Sequence, residues 1–422
     1  MKNIFVMGLD DFNLELLETI RDAQEYRFHG LLEYDYVVSP RHYPLEEWFS
    51  RAEDTLNTFP GSVDAIVGYW DFPTSTILPI LRKERDLPSP SLESILQCEH
   101  KYWSRLRQRE AVPGCTPRFA LVDPFDDASI ANLDLDYPFW LKPIKAFSSY
   151  LGFRIAGARD LQVALPAIRE GIARFAEPFN YVLEQASLPD DLPRVDGYRC
   201  IAEEIIGGRQ CTLEGYVHEG TPVIYGVLDS IRAPNRVSFL RYQYPSRLPR
   251  SVQQRMANCA KQVITHIGLD TTPFNVEFFW DPSRDTIRLL EINPRISKSH
   301  CPVFELVDGA SHHQVMVRLG LGRAPDFPYR EGRHACAAKF MARVYNDATV
   351  TRVPTAAQIA RVQERFPGTL VQVGVEEGTR LSELRDQDSY SYELADIFMG
   401  ARNERELLHN YKACLDELDF RL

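Results

Sequence analysis

Several features that would assign this chain to a class at once are missing from its sequence. Its eight cysteines are scattered without a CxxC pair, and none of its ten histidines belongs to an HExxH motif. This pattern argues against a disulfide framework and a zinc site, and it favours reduced thiols in the cytoplasm. His312 and His313 are the adjacent pair of histidines, and neighbours on a helix point to different sides. A structural role is therefore predicted for them.

Long apolar runs are also missing. No stretch of about 18 apolar residues occurs, so no transmembrane helix is predicted. The opening MKNIFVMGLDD becomes acidic too early for a signal peptide. Together with the cysteine usage, these absences predict a cytoplasmic protein.

Positive charge is scarce. The chain has 48 Lys and Arg against 59 Asp and Glu, a formal net charge of −11. Nucleic acids and anionic membranes bind basic surfaces, so neither is expected as a partner. With 422 residues, 44% of them hydrophobic, the composition is that of a soluble globular protein of two or three domains. Any nucleotide site must then be locally basic.

Strand and helix signals alternate over residues 1–95. Residues 3–8 and 65–67 predict buried strands, and each is followed by a helical pattern. This alternation predicts a doubly wound α/β domain. The segment MGLDDFNLE lacks the glycines of a dinucleotide site, so we expect a scaffold domain that contributes part of a substrate cleft.

Residues 275–295, NVEFFWDPSRDTIRLLEINPR, predict a β-hairpin with a polar turn at 281–285. Symmetric folding about the turn sets Glu277 opposite Glu291 and Asn275 opposite Asn293. Glu291 and Asn293 then share one face, because side chains on a strand repeat every second residue. The alternative is a solvated hairpin face whose register has slipped by one residue through a bulge.

Facing carboxylates repel each other unless a cation lies between them. A hard divalent cation suits them, since Mg²⁺ is held by one or two carboxylates while substrate phosphates supply further oxygens. We therefore predict Glu277, Glu291 and Asn293 as metal ligands, with Arg295 as a cation beside them.

A strand glutamate followed by Glu-Ile-Asn-Pro-Arg (291–295) resembles the metal-binding hairpin of the ATP-grasp superfamily. The resemblance covers about residues 100–300 and is to biotin-carboxylase-like carboxylate–amine (amino-acid) ligases. It implies a multidomain α/β and α+β protein with the ATP-grasp fold. The implied parts are an N-terminal doubly wound α/β domain (1–95), an ATP-grasp domain (96–325) with a small lid subdomain (137–205), and a β-rich C-terminal module with a final helix (326–422).

The resemblance also implies residues that bind the ATP phosphates. Lys101, on a helix-compatible segment at 94–111, matches a phosphate-contacting lysine, although a lone lysine on a helix is commonly just solvated. Lys142, delivered by a strand at 139–141, matches the lysine that binds the α- and β-phosphates. Ser148 and Ser149 lie in the loop that folds over the triphosphate, and Lys145 adds charge to it. This loop departs from the family pattern, because it has few glycines.

The implied adenine site is CIAEEIIGGRQ (200–210), which follows a helix at 159–177 and a predicted strand at 181–187. Glu203, Glu204 and Ile206 match the linker that contacts adenine. Gln210 stands where many relatives carry a glutamate for the ribose hydroxyls, and glutamine accepts more weakly because it is uncharged. The alternative is a plain β-hairpin that turns at Gly208.

Two arginines complete the predicted site. Arg232 suits the bidentate clamping of a substrate carboxylate, or it is an exposed loop residue. Arg295 is predicted to bind substrate and, with Lys142, to act in catalysis by stabilising the oxygens of the transferring phosphoryl group.

The activity implied is that of an ATP-dependent ligase, which forms an amide or peptide bond through an acyl phosphate and releases ADP and phosphate. The implied cofactors are ATP and Mg²⁺ or Mn²⁺, the substrates are an amino-acid-like carboxylate and amine, and relatives suggest a homodimer. Two alternatives stay open. One is a biotin-carboxylase-like, bicarbonate-dependent carboxylase, and the other is a nucleotide-binding protein without ligase turnover, which the glycine-poor loop and Gln210 would suit.

Overall fold

Three β-sheets organise the chain in the computed structural model, which describes residues 1–38, 40, 42–146, 150–235, 237–384, 387 and 390–422. They have three, four and eight strands, and each sheet is built from strands that are consecutive along the sequence. Among the described helices, none combines the length and apolar character that crossing a bilayer requires.

The first sheet is parallel, with strand order β2-β1-β3. Both strands predicted for this domain are present, and Asp10 caps the first helix by accepting a 2.6 Å hydrogen bond from the Asn13 N–H. The elements are β1 (Lys2–Leu9), α1 (Asp11–Glu18), β2 (Tyr26–Glu33), α2 (Tyr34–Val37), α3 (Leu45–Thr58), β3 (Ala65–Val67) and α4 (Thr74–Lys83). The predicted doubly wound unit is therefore observed.

Two helices, α5 (Leu92–Glu99) and α6 (Lys101–Ala111), replace the continuous helical segment predicted at 94–111. The break falls at His100, whose backbone is extended (φ −81°, ψ 100°) and whose ring accepts from the Trp103 N–H at 3.2 Å. His100 thus ends one helix and caps the next, which places Lys101 at an N-terminus.

The second sheet is antiparallel, in the order β4-β7-β5-β6. The expected strand at 181–187 is wrong, because residues up to 183 continue a helix. Phe175, Phe179 and Val182 recur at helical spacing and are all buried. The elements are β4 (Phe119–Val122), α7 (Asp127–Ala131), β5 (Phe139–Pro143), β6 (Phe153–Ile155), α8 (Ala158–Gly171), α9 (Ala173–Leu183) and β7 (Cys200–Glu204).

The third sheet has the order β12-β11-β8-β9-β10-β13-β15-β14. The first five strands in this order follow the linker at 205–208, and helix α10 packs on them. Helix α10 ends at Gly268, whose φ of +72° is left-handed. These elements are β8 (Arg209–His218), β9 (Thr221–Arg232), β10 (Phe239–Tyr244), α10 (Arg250–Ile267), β11 (Thr272–Asp281), β12 (Thr286–Asn293), α11 (Cys301–Asp308) and α12 (His313–Gly320).

The remaining strands extend this same sheet rather than forming one of their own. Tyr242 on β10 pairs with Lys339 on β13, so the sheet continues across the boundary that the sequence suggests near residue 326. Asn403 caps the predicted final helix by accepting from the Glu406 N–H at 3.0 Å. The elements are β13 (Cys336–Val344), α13 (Ala356–Arg365), β14 (Leu370–Val373), β15 (Tyr392–Ala401) and α14 (Glu404–Leu418).

Candidate active site

The β11–β12 hairpin has the predicted register at its polar end. Glu277 lies opposite Glu291, and Asn275 lies opposite Asn293. Nearer the turn the register shifts by one, because a bulge at Leu290 leaves Phe278 opposite Leu289. The predicted alternative contained such a bulge, but here it lies between the turn and the acids, and so it leaves the two carboxylates facing each other.

The two hairpin acids lie in an environment that favours a cation. Burial and the neighbouring Glu291 raise the pKa of the Glu277 carboxyl to about 8, so its charged form is disfavoured as the chain stands. Asn293 extends the same face and donates to the Asn275 side-chain oxygen at 3.0 Å. Carboxylate and amide oxygens grouped in this way fit Mg²⁺ or Mn²⁺, since a divalent cation removes the repulsion between the acids.

Gln210 links Glu277 to Arg232. Its amide nitrogen donates to Glu277 at 2.7 Å, and its amide oxygen accepts two hydrogen bonds from the Arg232 guanidinium, at 2.8 and 2.6 Å. Arg232 also lies 4.1 Å above the Phe239 ring and donates to the Val237 carbonyl at 2.9 Å. Arg232 is therefore an ordered residue of the cleft wall.

Lys142, at the end of β5, is held by a buried carboxylate. Its ammonium lies 2.5 Å from Glu203 on β7, and Arg105 on α6 contacts the other Glu203 oxygen at 2.6 Å. Although burial opposes its ionisation, Arg105 and Lys142 lower the pKa of Glu203 to about 2. The neighbouring Glu204 points outward and accepts from the Arg118 N–H at 3.1 Å. The Glu203 side chain thus fixes Lys142, while the adenine contacts of this linker stay a prediction.

Two further lysines lie near the start of α6. Lys101 donates to the Ala146 carbonyl at 2.7 Å, and burial, with Lys145 nearby, lowers the pKa of its ammonium to about 8. Lys145 is buried and forms a close ion pair with Glu99. Glu99 also accepts from the Ser75 hydroxyl at 2.6 Å. These groups make the cleft locally basic within an acidic protein.

The N-terminal domain reaches this cleft through Asp71. Arg295, just beyond β12, donates to Asp71 at 2.6 Å, and Lys145 lies 3.9 Å from the same carboxylate. Although burial disfavours its charged form, Arg295 and Lys145 hold the pKa of Asp71 well below its ordinary range. This domain therefore contributes Asp71 to the cleft wall, while substrate binding there stays a prediction.

All predicted site residues within the described part of the chain line one cleft of about 1830 Å³. They are Lys101, Lys142, Glu203, Glu204, Ile206, Gln210, Arg232, Glu277, Glu291, Asn293 and Arg295. Ser148 and Ser149, predicted in the loop over the triphosphate, lie outside the described residues.

Sequence reasoning missed several charged groups that the fold brings to this cleft. Asp71, Glu99 and Arg105 are buried or half-buried ion-pair partners of predicted site residues. Asp71 had a readable signal, since it closely follows the carboxyl end of a parallel strand, where α/β domains place ligands. Glu99 and Arg105 gave none, because helical spacing alone does not show which face meets another domain.

Comparison with known proteins identifies the central domain. Residues 135–302 match the family of the ATP-grasp domain. Among curated proteins, the chain is 21% identical to urea amidolyase of Saccharomyces cerevisiae over 74% of its own length. It is 26% identical to the carbamoyl phosphate synthase large chain of Rubrobacter xylanophilus over 50% of its length. The chain spans only 16% and 18% of those two proteins.

Solved structures resemble the whole chain. The L-amino acid ligase from Bacillus licheniformis superposes with a TM-score of 0.76 at 16% identity, over 100% of this chain and 98% of that one. The biotin carboxylase from Campylobacter jejuni gives a TM-score of 0.67 at 15% identity, over 99% of this chain and 92% of that one. At these identities the likeness establishes the fold, which is the predicted ATP-grasp fold.

Proposed function

We propose that this chain, which carries an ATP-grasp domain, is an ADP-forming ligase that joins a carboxylate to an amine. One observation carries the proposal. The hairpin acids Glu277 and Glu291, the anchored Lys142 and the arginine Arg295 line a single cleft. An anionic triphosphate needs basic side chains and a divalent cation together, and this cleft offers ligands for both.

ATP would lie between the two sheets that border the cleft. Lys142 and Lys101 would bind its phosphates, with Lys142 held in place by Glu203. The linker at 203–206, which joins the two sheets, would contact adenine through its backbone, and Gln210 would face the ribose. These assignments rest on the predicted motif, and the cleft lining supports them.

Glu277, Glu291 and Asn293 would hold Mg²⁺ or Mn²⁺. When bound, the metal neutralises charge on the phosphates during transfer. The chain itself supplies the facing carboxylates and keeps Asn293 oriented through its hydrogen bond to Asn275. The raised pKa of Glu277 accords with this role, because a nearby cation would favour its charged form at neutral pH.

The reaction proposed has two steps. A substrate carboxylate oxygen attacks the γ-phosphorus of ATP, and the bond from that phosphorus to the β-phosphate oxygen breaks. The products of this step are an acyl phosphate and ADP. The amine nitrogen then attacks the acyl carbon, phosphate departs with the bonding electron pair, and one proton is lost from nitrogen. Arg295 would stabilise the transferring oxygens, and Arg232 would bind a substrate carboxylate.

The substrate class proposed is amino-acid-like. The support is the fold shared with an L-amino acid ligase and two charged anchors for an amino acid, Arg232 and Asp71, on the cleft wall. Arg232 suits the carboxylate of an amino acid, and Asp71 suits its ammonium group. The Asp71 carboxylate would be held in place by the cations around it, such as Arg295.

The test is ADP release by the purified protein with Mg²⁺-ATP and pairs of amino acids, with mass spectrometry of the products. Release that needs both a carboxylate and an amine supports the proposal. Release stimulated by bicarbonate without an amine would instead indicate the carboxylase alternative. ATP binding by calorimetry with no ADP across the screen would indicate a nucleotide-binding protein without turnover.

A further inference from the structure

A chain of four polar side chains leads from the core of the third sheet to the cleft. Glu214 on β8 contacts His300 Nδ1 at 2.6 Å through Oε1, and its Oε2 faces His312 Nε2 at 3.9 Å. The other ring nitrogen of His312 contacts the Tyr225 hydroxyl at 2.8 Å. Glu214 and His312 are fully buried, and His300, whose side chain is 4% exposed, lines the cleft.

A single set of proton positions satisfies the contacts along this chain. With the Tyr225 hydroxyl as the donor to His312 Nδ1 at 2.8 Å, the neutral His312 ring carries its proton on Nε2, which faces Glu214. Burial lowers the pKa of His312 well below its ordinary value, which keeps the ring neutral. Glu214 then accepts from Nδ1–H of His300, which leaves the lone pair of His300 on Nε2.

His300 lines the same cleft as the predicted site residues. It ends the short helical turn Lys298–His300, five residues after Arg295, and both residues line the cleft. Within the described part of the chain, Nε2 has no hydrogen-bond partner, and it is not among the polar atoms sealed from solvent. Tyr242 packs edge-on against the ring at 4.9 Å and limits its rotation.

We propose that His300 is the base that removes the proton from the attacking amine, and that Glu214 is the residue that positions it. The inference rests on the proposed ligase function and deepens it. An amine reaches the site as an ammonium ion, whose nitrogen has no free pair. His300 Nε2 first takes one proton from this ammonium and passes it to water, which frees the electron pair on nitrogen for attack. As the N–C bond then forms and the C–O bond breaks with its electron pair going to phosphate, nitrogen releases its second proton to water or to the departing phosphate. A carboxylate that orients a histidine through Nδ1 is a common means of preparing such a base.

The same three residues, Glu214, His300 and His312, are a less suitable metal site. The Nδ1–Oε1 contact of 2.6 Å is a hydrogen-bond distance, so a proton rather than an ion joins these atoms. His312 has already committed Nδ1 to Tyr225. Hydrogen bonds account for the His300–Glu214 and Tyr225–His312 contacts, whereas Glu214 Oε2 and His312 Nε2, 3.9 Å apart, are not hydrogen-bonded to each other.

Hydroxylamine separates this role from a structural one. It is uncharged at neutral pH and attacks an acyl phosphate without a base, giving a hydroxamate. In His300→Gln, kcat for amide formation with an amino acid should fall by about 100-fold or more, while hydroxamate formation stays within about threefold of wild type. Glu214→Gln should lower kcat for amide formation and leave KM for the amine unchanged, since Glu214 acts only through His300.

His266→Gln is the matched control. His266 forms a similar histidine–carboxylate contact, at 2.9 Å to Glu110, but lies on the exposed side of α10. Both of its rates should match wild type. Lys298→Met tests the other candidate base, because burial lowers the pKa of Lys298 to about 8 and its ammonium lies over the Trp70 ring at 3.9 Å.

Each outcome decides the matter. A parallel fall of both rates in His300→Gln, no fall in either, or a selective loss in Lys298→Met would overturn the assignment. So would a stoichiometric transition metal in the purified protein that is absent from His300→Gln. A wild-type protein that forms neither hydroxamate nor ADP would refute the ligase itself and this inference with it, which is a result distinct from the others.

Discussion

Arg295 donates a 2.6 Å hydrogen bond to Asp71, and this contact ties the loop behind the hairpin to the N-terminal domain across 224 residues of sequence. Both side chains are partly exposed to the cleft, at 20% and 25%. The pair therefore sets the position of a predicted catalytic arginine while leaving its charge within reach of a ligand.

Asp71→Asn should weaken this link. Arg295 would lose its anionic partner, and we expect the free energy of unfolding to fall by about 1–3 kcal/mol, with a larger loss in kcat than in ATP binding. Urea unfolding and steady-state kinetics measure the two effects. Asp136→Asn is the control, since Asp136 pairs with Arg118 at 3.2 Å on the surface and should change stability by less than about 1 kcal/mol. Equal effects of the two variants would contradict the role given to Asp71.

Glu291→Ala should abolish ADP release without unfolding the protein. The change removes a metal ligand, and it also removes the repulsion that raises the pKa of Glu277, so the melting temperature should stay level or rise. ADP release, Mg²⁺-dependent ATP binding and thermal denaturation test this. Glu364→Ala, on the exposed side of α13, should leave all three unchanged. An inactive variant that is also unfolded would show that Glu291 is structural.

The hairpin shows how far sequence reasoning reaches in this protein. Glu277 and Glu291 face each other as predicted, because alternation fixes which residues share a face and the turn fixes the approximate register. The bulge at Leu290 was not located beforehand, since the same letters allow a register with or without it. The predicted register is off by one residue near the turn, and the bulge at Leu290 restores it at the acids. The facing pair is therefore predicted correctly.

The sequence does not reveal which side chains form ion pairs with the predicted site residues. Glu203 is predicted to contact adenine, and nothing in the neighbouring sequence indicates that its side chain also holds Lys142 and Arg105. Such contacts depend on how helix α6 packs between two sheets. The same limit explains the strand wrongly expected at 181–187, where β-favouring residues lie on a buried helical face.

Glu203 leads to a prediction about acid stability. Its pKa of about 2 in the folded protein lies below the ordinary 4.5, so its charge stabilises the fold above about pH 4.5, and this contribution is lost as pH falls toward 2. Glu203→Gln should therefore lose about 3 kcal/mol at pH 7 relative to wild type, and the difference should shrink as the pH drops below about 4.5. Urea unfolding between pH 7 and pH 3 measures it.

Glu204→Gln is the control for this prediction, since its carboxylate is exposed and accepts from the Arg118 backbone. A difference between Glu203→Gln and wild type that does not vary with pH would show that the buried ion pairs contribute little. The affinity for ATP should also fall in Glu203→Gln but not in Glu204→Gln, because only the former releases Lys142.

Two adjacent glycines in the linker between the second and third sheets make a sharp test of backbone strain. Gly208 has a φ of +123°, and an added Cβ would lie 2.3 Å from the Trp280 carbonyl oxygen. A Cβ added at Gly207 would have no neighbouring atom within 4 Å. Gly208→Ala should lose about 1–3 kcal/mol of stability and should also raise KM for ATP, because the linker is the predicted adenine contact. Gly207→Ala should change stability by less than about 0.5 kcal/mol.

Thermal denaturation and ATP titration of both variants measure these effects. If Gly208→Ala loses stability but keeps its affinity for ATP, the linker supports the fold without contacting adenine.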